Sequence, residues 1–307
     1  MSDMVTDFTK ALESTVDEKI TSVYDKFETA AQKRTEEMEE LVRTGLKLKI
    51  RNGRKVHTID GLKHASLTKL ITAISQRLPS LMVGMAGTGK THAAEQAAKA
   101  VGLEFYAMSV GAQTSKSDLM GFIHANGQYV PTLFRKAVEE GGVFLMDEMD
   151  AGNANVLIMV NSVLSNGYAA FPDRMVKVHE NFVFVGSANT YGLGASRQYV
   201  GRNQLDAATL DRFVVIDWAV DENLEKALAG NDVLGKRWHK VVLELRQFVQ
   251  REGLRILVTP RATIKGSTLL RAGLEFKEVL YAVLLSGAPQ DKQEQLERIA
   301  TDKWEDN

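Results

Sequence analysis

The sequence predicts an α/β fold, a parallel sheet flanked by helices, followed by a C-terminal helical lid and preceded by a long helix and a β-hairpin. Three observations predict it. Short apolar runs alternate with helical patterns from residue 63 onward, a glycine-rich loop joins one such run to an Ala-rich helix, and after Asp221 the texture turns helical through Trp304. Strand–helix alternation of this kind implies a parallel sheet covered on both faces. The expected division is 1–61 for the helix and hairpin, 62–220 for the α/β core and 221–307 for the lid.

Composition bounds the answer. The chain has 307 residues with 38 Lys+Arg against 39 Asp+Glu, a formal net charge of −1, and it is 44% hydrophobic. That is ordinary globular composition, and the balanced charge gives no overall bias toward nucleic acid. Cysteine is absent, which excludes disulfides, thiolate metal sites and cysteine nucleophiles. The longest apolar run, Val279 to Leu285, is seven residues, against the ~20 needed to span a bilayer. The opening Met1-Ser2-Asp3-Met4 has neither the basic segment nor the apolar core of a signal peptide. A cytoplasmic protein with no membrane association is expected.

Residues 1–44 contain no Gly or Pro, and apolar side chains recur every three or four positions from Val5 and Phe8 to Met38 and Leu41, with one gap at Arg34. This spacing predicts a helix of about forty residues. It is acidic, with eleven Asp/Glu against six Lys/Arg. So long a stripe cannot bury itself, and its receiving surface is the body, a neighbouring subunit or a partner. Gly45 ends it, Leu46 to Arg51 alternates with period two, and Asn52-Gly53 tolerates positive φ at both turn positions of a hairpin returning over Arg54 to Ile59. Residues 45–64 hold six Lys/Arg and one Asp, either a wing for DNA or a partner or a solvated face.

Buried strands are expected at Leu81–Val83, Leu103–Met108, Val143–Met146, Phe182–Val185 and Val214–Ile216, each short and bounded by Gly, Asp, Asn or Ser. Between the first of these and the helix Thr91–Ala100 stands Gly84-Met85-Ala86-Gly87-Thr88-Gly89-Lys90-Thr91, a full match to G-x-x-x-x-G-K-[ST]. Its glycines let backbone N–H groups curl round phosphate oxygens at the positive end of the helix. Lys90 would reach the β- and γ-phosphates and the Thr91 hydroxyl would ligate Mg²⁺. The implied cofactors are ATP and Mg²⁺.

The strand ending in Asp147-Glu148 drives two acids to the carboxyl edge of the sheet, where phosphate loops lie. Asp147 would hold the metal's hydration shell and Glu148 would activate water as general base. The next strand ends in Asn189, either a turn former or an amide placed between those two sites. Arg212 closes a short helical turn with no evident duty in its own subunit, so a guanidinium offered to a neighbour's nucleotide is expected; Arg202 is a lesser candidate for that role. In Thr259-Pro260-Arg261, Thr is the N-cap and Pro the first helical residue. A cation in that first turn is disfavoured unless an external anion meets it. The six histidines, His57, His64, His92, His124, His179 and His239, show no metal-ligand spacing.

The ordered set of phosphate loop, Asp-Glu, strand-end Asn, Leu-Asp-Arg-Phe and Pro-Arg resembles an AAA+ ATPase of the MoxR and dynein-related branch. The resemblance covers about residues 62–275. It includes Gly127–Thr132, Ala137–Gly142, Ala188–Gly194, Tyr199-Val200-Gly201 and Asp211-Arg212, phrasing similar to the AAA+ subunit of aerobic cobaltochelatase. It implies that Lys90 and Thr91 are Walker A, Asp147 and Glu148 Walker B, Asn189 sensor 1, Arg212 an arginine finger and Arg261 sensor 2. It also implies a homo-oligomeric, usually hexameric ring with ATP between subunits, working on a protein partner that commonly bears a von Willebrand A domain. A nucleic-acid-directed motor and a nucleotide-gated scaffold with negligible turnover are the alternatives.

Overall fold

The computed structural model describes residues 48–52, 55–59 and 61–306, and of the first two stretches only the backbone. The helix expected over 1–44 and the turn at residues 53 and 54 lie outside the described residues. The expected hairpin is present as β1 (Leu48–Asn52) and β2 (Lys55–Ile59), antiparallel. Its register pairs Asn52 with Lys55, so Asn52 belongs to the ladder and not to the turn.

The central sheet is built from β3 (Ser80–Val83), β4 (Phe105–Ser109), β7 (Gly142–Asp147), β10 (Phe182–Ala188) and β11 (Val214–Asp217). Every pairing is parallel and the order is β11-β3-β10-β7-β4. All five expected strands are there. The central one, β10, runs past Val185 to Ala188: Gly186 pairs with Met146 of β7, and Ser187 and Ala188 continue along Met82 and Val83 of β3. Three carboxyl ends therefore lie side by side, and the chain leaves them as Gly84, Asn189 and Glu148.

Alternation along β7 shows why these runs are continuously apolar. Phe144 and Met146 enter a cluster with Phe134, Phe184 and Phe213 on one face. Val143 and Leu145 enter a second cluster with Leu70, Ile74, Ala94, Ala98 and Trp218 on the other. Neither face meets water, so period-two polarity disappears. The helix Lys90–Val101 approaches the sheet through Ala93, Ala94, Ala97 and Ala98, all buried, small side chains that admit close packing.

Two small hairpins interrupt the strand–helix rhythm: β5 (Phe122–Ile123) with β6 (Tyr129–Val130), and β8 (Tyr168–Ala170) with β9 (Met175–Lys177). Buried Arg135 joins them. It bonds Glu139 at 2.7 Å and Asp173 at 2.8 Å, and lies over the rings of Tyr129 and Phe171. Beyond β11, helices Glu222–Ala229, Val233–Arg251, Pro260–Arg271 and Gln290–Glu305 pack round a separate core of Trp238, Val242, Leu245, Leu280 and Leu296. No helix among the described residues is long and apolar enough to cross a membrane.

Candidate functional site

The loop after β3 is shaped by what crowds it. A Cβ at Gly84 would fall 1.9 Å from the carbonyl oxygen of Trp218, so only glycine passes beside the end of β11. Gly87 and Gly89 have φ of 79° and 82°, the left-handed region that glycine enters without steric penalty. Trp218 closes the base of the loop: its indole N–H donates to Thr88 O at 3.2 Å and its ring stacks on His64 at 4.2 Å.

Lys90 is buried beneath the loop and donates to Gly84 O at 2.7 Å, Met85 O at 3.0 Å and Asn189 Oδ1 at 3.1 Å. Burial pushes its ammonium from 10.5 down to about 8; Asp147 and Asp150 oppose that shift, and Arg261 and Arg202 add to it. The Thr91 hydroxyl donates to Asp147 Oδ2 at 2.7 Å, and Ser187 bonds the other oxygen of Asp147. A hydroxyl beside a carboxylate, with no denser cluster of His, Cys, Asp or Glu among the described residues, fits Mg²⁺. That ion keeps most of its waters and takes one or two protein oxygens plus phosphate.

Glu148 is one of two non-glycine residues at positive φ among the described residues, at 57°. Its N–H is held by Asp147 Oδ1 at 3.1 Å and Ser187 Oγ at 3.3 Å. A conformation sparsely populated by L-residues is retained where the surroundings over-determine it, and it turns the half-exposed carboxylate away from the line of β7. Asn189, Lys90, Thr91, Asp147 and Glu148 are thus brought to one sheet edge.

Arg261 arrives from the helical region. Its side chain and Thr259 Oγ1 both lie within 3.1 Å of where a Cβ on Gly87 would stand. Thr259 holds the N-cap position but makes no side-chain cap bond, because its hydroxyl faces the phosphate loop. Between the loop and the C-terminal helices opens a cavity of about 620 Å³, lined by Gly87, Thr88, His92 and Gln96 on one side and Leu224, Leu228 and Ile264 on the other. That volume suits a base and ribose.

Arg212 does not come to this site, and it does have a duty in its own chain. Its guanidinium donates to Ser165 Oγ at 3.1 Å and to Ala208 O, capping its own helical turn. Arg202 is the arginine found beside the acids, 3.5 Å from Glu148 Oε2 and 3.4 Å from Asp150 Oδ1.

Sequence reasoning missed Trp218, described above, and two further residues. Asp150, fully buried, accepts at Oδ2 from the N–H groups of Asn189 and Thr190 at 3.1 and 3.0 Å and from the Thr190 hydroxyl at 2.9 Å. It fixes the turn that carries Asn189. Tyr199 Oη accepts from Ala86 N–H at 3.0 Å. The only local hint was an aspartate three residues beyond Asp147, in a segment rich in turn formers.

Residues 79–213 match the family model of the AAA domain, dynein-related subfamily. This segment is a dynein-related AAA domain. Midasin of Giardia intestinalis is 30% identical over 152 residues, which is 48% of this chain and 3% of that protein. The aerobic cobaltochelatase subunit CobS of a Sinorhizobium species is 28% identical over 148 residues, 44% of each chain. The chain spans less than half the length of either relative. Among solved structures, the RuvB Holliday junction branch migration motor of Thermotoga maritima superposes with a TM-score of 0.45 at 17% identity, over 76% of this chain and 67% of that one. Within this segment the Asn189 strand β10 lies between the phosphate-loop strand β3 and the acid strand β7.

Proposed function

We propose that this chain hydrolyses ATP with Mg²⁺ at the 84–91 loop and couples turnover to the remodelling of a protein partner by a ring of subunits in the cytoplasm. The observation that carries the reading is convergence: Lys90 meets Asn189, and Thr91 meets Asp147, across the carboxyl ends of three adjacent strands.

Mg²⁺, when bound, supplies charge neutralisation on the phosphates. The chain's own groups do the rest. Thr91 and Asp147 offer the oxygens that hold the ion, and Lys90, already desolvated, offers a cation whose phosphate contact is not weakened by bulk water. Glu148 accepts the proton of the attacking water, and Asn189, clamped by Asp150, orients that water beside it. Arg261 closes the lid side over Gly87. The division into a core from 62 and a lid from 221 is part of this reading.

A hexameric ring, an Arg212 finger acting on a neighbour's nucleotide and a partner with a von Willebrand A domain are proposals that rest on the family. The finger would have to leave Ser165 and Ala208 to act. The test separates binding from chemistry: Lys90→Ala is expected to abolish ATP binding, while Glu148→Gln binds normally and loses ~10²–10⁴ in rate. Binding isotherms and phosphate release decide it, and unimpaired turnover by Glu148→Gln overturns the assignment of the base.

A further inference from the structure

Arg202 sits on a strap, residues 196–205, that crosses the phosphate side of the site and is fastened at several points. Ser196 and Tyr199 close a tight turn on each other, Ser196 N–H to Tyr199 O at 3.0 Å and Tyr199 N–H to Ser196 Oγ at 3.2 Å. Tyr199 Oη rests on the Ala86 amide of the phosphate loop. Beyond Arg202, Asn203 N–H donates to Asp150 O at 2.7 Å and its side chain to Gly152 O at 2.9 Å. The backbone on both sides of Arg202 is thereby bound to its own chain's phosphate loop and to the turn after β7.

The guanidinium itself is poorly spent. Its side chain is 12% exposed, yet its contacts are a 3.5 Å approach to Glu148, a 3.4 Å approach to Asp150 and the ring of Tyr199 at 5.9 Å. Asp150 Oδ1, fully buried, has no hydrogen-bond partner of its own. A planar group with five donors ordinarily meets a carboxylate or phosphate in paired bonds of 2.7–2.9 Å. Here two acids stand near it and neither is engaged at that distance. Such a cation, withdrawn from water beside a phosphate loop, is arranged for an anion that arrives from outside.

We propose that Arg202 binds the terminal phosphate of the nucleotide held on the loop of its own chain, and that it guards Glu148 until that phosphate arrives. Without the phosphate, Arg202 is the counter-ion of Glu148. With it, the guanidinium engages the phosphate oxygens, and Glu148 is released to take a proton from water. Asp150 holds both ends of this device, since one of its oxygens fixes the Asn189 turn and the other faces Arg202. The fastening of the strap makes the action one in cis, in contrast to a finger offered to a neighbour. This inference rests on the ATP-binding reading above.

Binding of ATP and ADP, with Mg²⁺, is measured on the full chain in a Glu148→Gln background, where no turnover confuses the affinity. Adding Arg202→Ala is expected to weaken ATP by about tenfold to a hundredfold, the loss expected of a hydrogen bond to a charged group, and to leave ADP within about twofold. Arg202→Lys, which keeps the charge and loses the fork, is expected to fall between. In mixed assemblies, Arg202→Ala chains and Lys90→Ala chains are expected not to restore each other's turnover, because the lesion travels with the phosphate loop. An unchanged ATP-to-ADP ratio overturns the proposal, as does restoration of turnover by mixing. Failure of the underlying reading appears earlier and separately: a chain with Arg202 intact that binds no nucleotide, or binds it regardless of Lys90→Ala, removes the site and this inference with it.

Discussion

Above pH 8 nucleotide affinity is expected to fall about tenfold for each pH unit, because the lysine that meets the phosphates loses its proton there. Lys90 is 7% exposed. Burial, aided by Arg261 and Arg202, lowers its pKa from 10.5 to about 8 against the pull of Asp147 and Asp150, a difference worth about 3 kcal/mol. Below pH 8 the lysine is charged in folded and unfolded chains alike, and the cost of burying that charge is present in full. Between pH 8 and 10.5 the folded chain sheds the proton first, so the nucleotide-free protein gains up to that 3 kcal/mol of stability as pH rises. Binding runs the opposite way. A polyphosphate demands the ammonium, so above pH 8 each binding event takes up close to one proton. Titration of a fluorescent ADP in EDTA at pH 7, 8, 9 and 9.5 reads the affinity, and calorimetry in two buffers of different ionisation enthalpy counts the proton. Lys90→Arg, charged throughout, is expected to bind with no such slope. A flat profile from pH 7 to 9.5, or the same slope in Lys90→Arg, refutes the reasoning.

Gly84→Ala places a methyl 1.9 Å from the backbone oxygen of Trp218, which no side-chain rotation relieves; a loss of about 3 kcal/mol together with loss of nucleotide binding is expected, and an unchanged thermal melt contradicts it. Glu225→Gln breaks a buried pair in which Arg246 donates at 2.6 and 2.7 Å. The expected cost is about 3–5 kcal/mol, read by chemical denaturation. Because Arg246 also donates to Val258 O at 2.8 Å, just ahead of Arg261, nucleotide affinity should fall as well.

The parts of the site that were legible are those whose chemistry is written in consecutive residues. The 84–91 loop carries its own glycines, lysine and threonine, and the strands before Asp147 and Asn189 show as short apolar runs because both faces of the sheet are covered. Asp150, Tyr199 and Trp218 were not legible. Each acts on a partner that is far away along the chain: Trp218 meets the loop across 130 residues, Tyr199 across 113, and Asp150 the Asn189 turn across 39. Neither hydrophobic period nor spacing reports such contacts. The own-chain bond of Arg212 was hidden for the same reason, since its partner Ser165 lies 47 residues away. The two small hairpins escaped because strands of two or three residues, such as Phe122–Ile123 and Tyr168–Ala170, are too short to establish an alternation.

The stacking of Trp218 on His64, with its indole N–H on Thr88 O, gives the protein an optical property. The chain has three tryptophans. Trp238 sits in the helical core, donating to Ala262 O at 2.9 Å, and Trp304 stacks on Phe276. With those two replaced by phenylalanine, all remaining indole emission would come from one ring seated beneath the loop, polarised by a loop carbonyl and shielded by an imidazole. Occupation of the loop alters that carbonyl's surroundings directly. A change in that emission on adding nucleotide is therefore expected, and it would read occupation of the loop without a label.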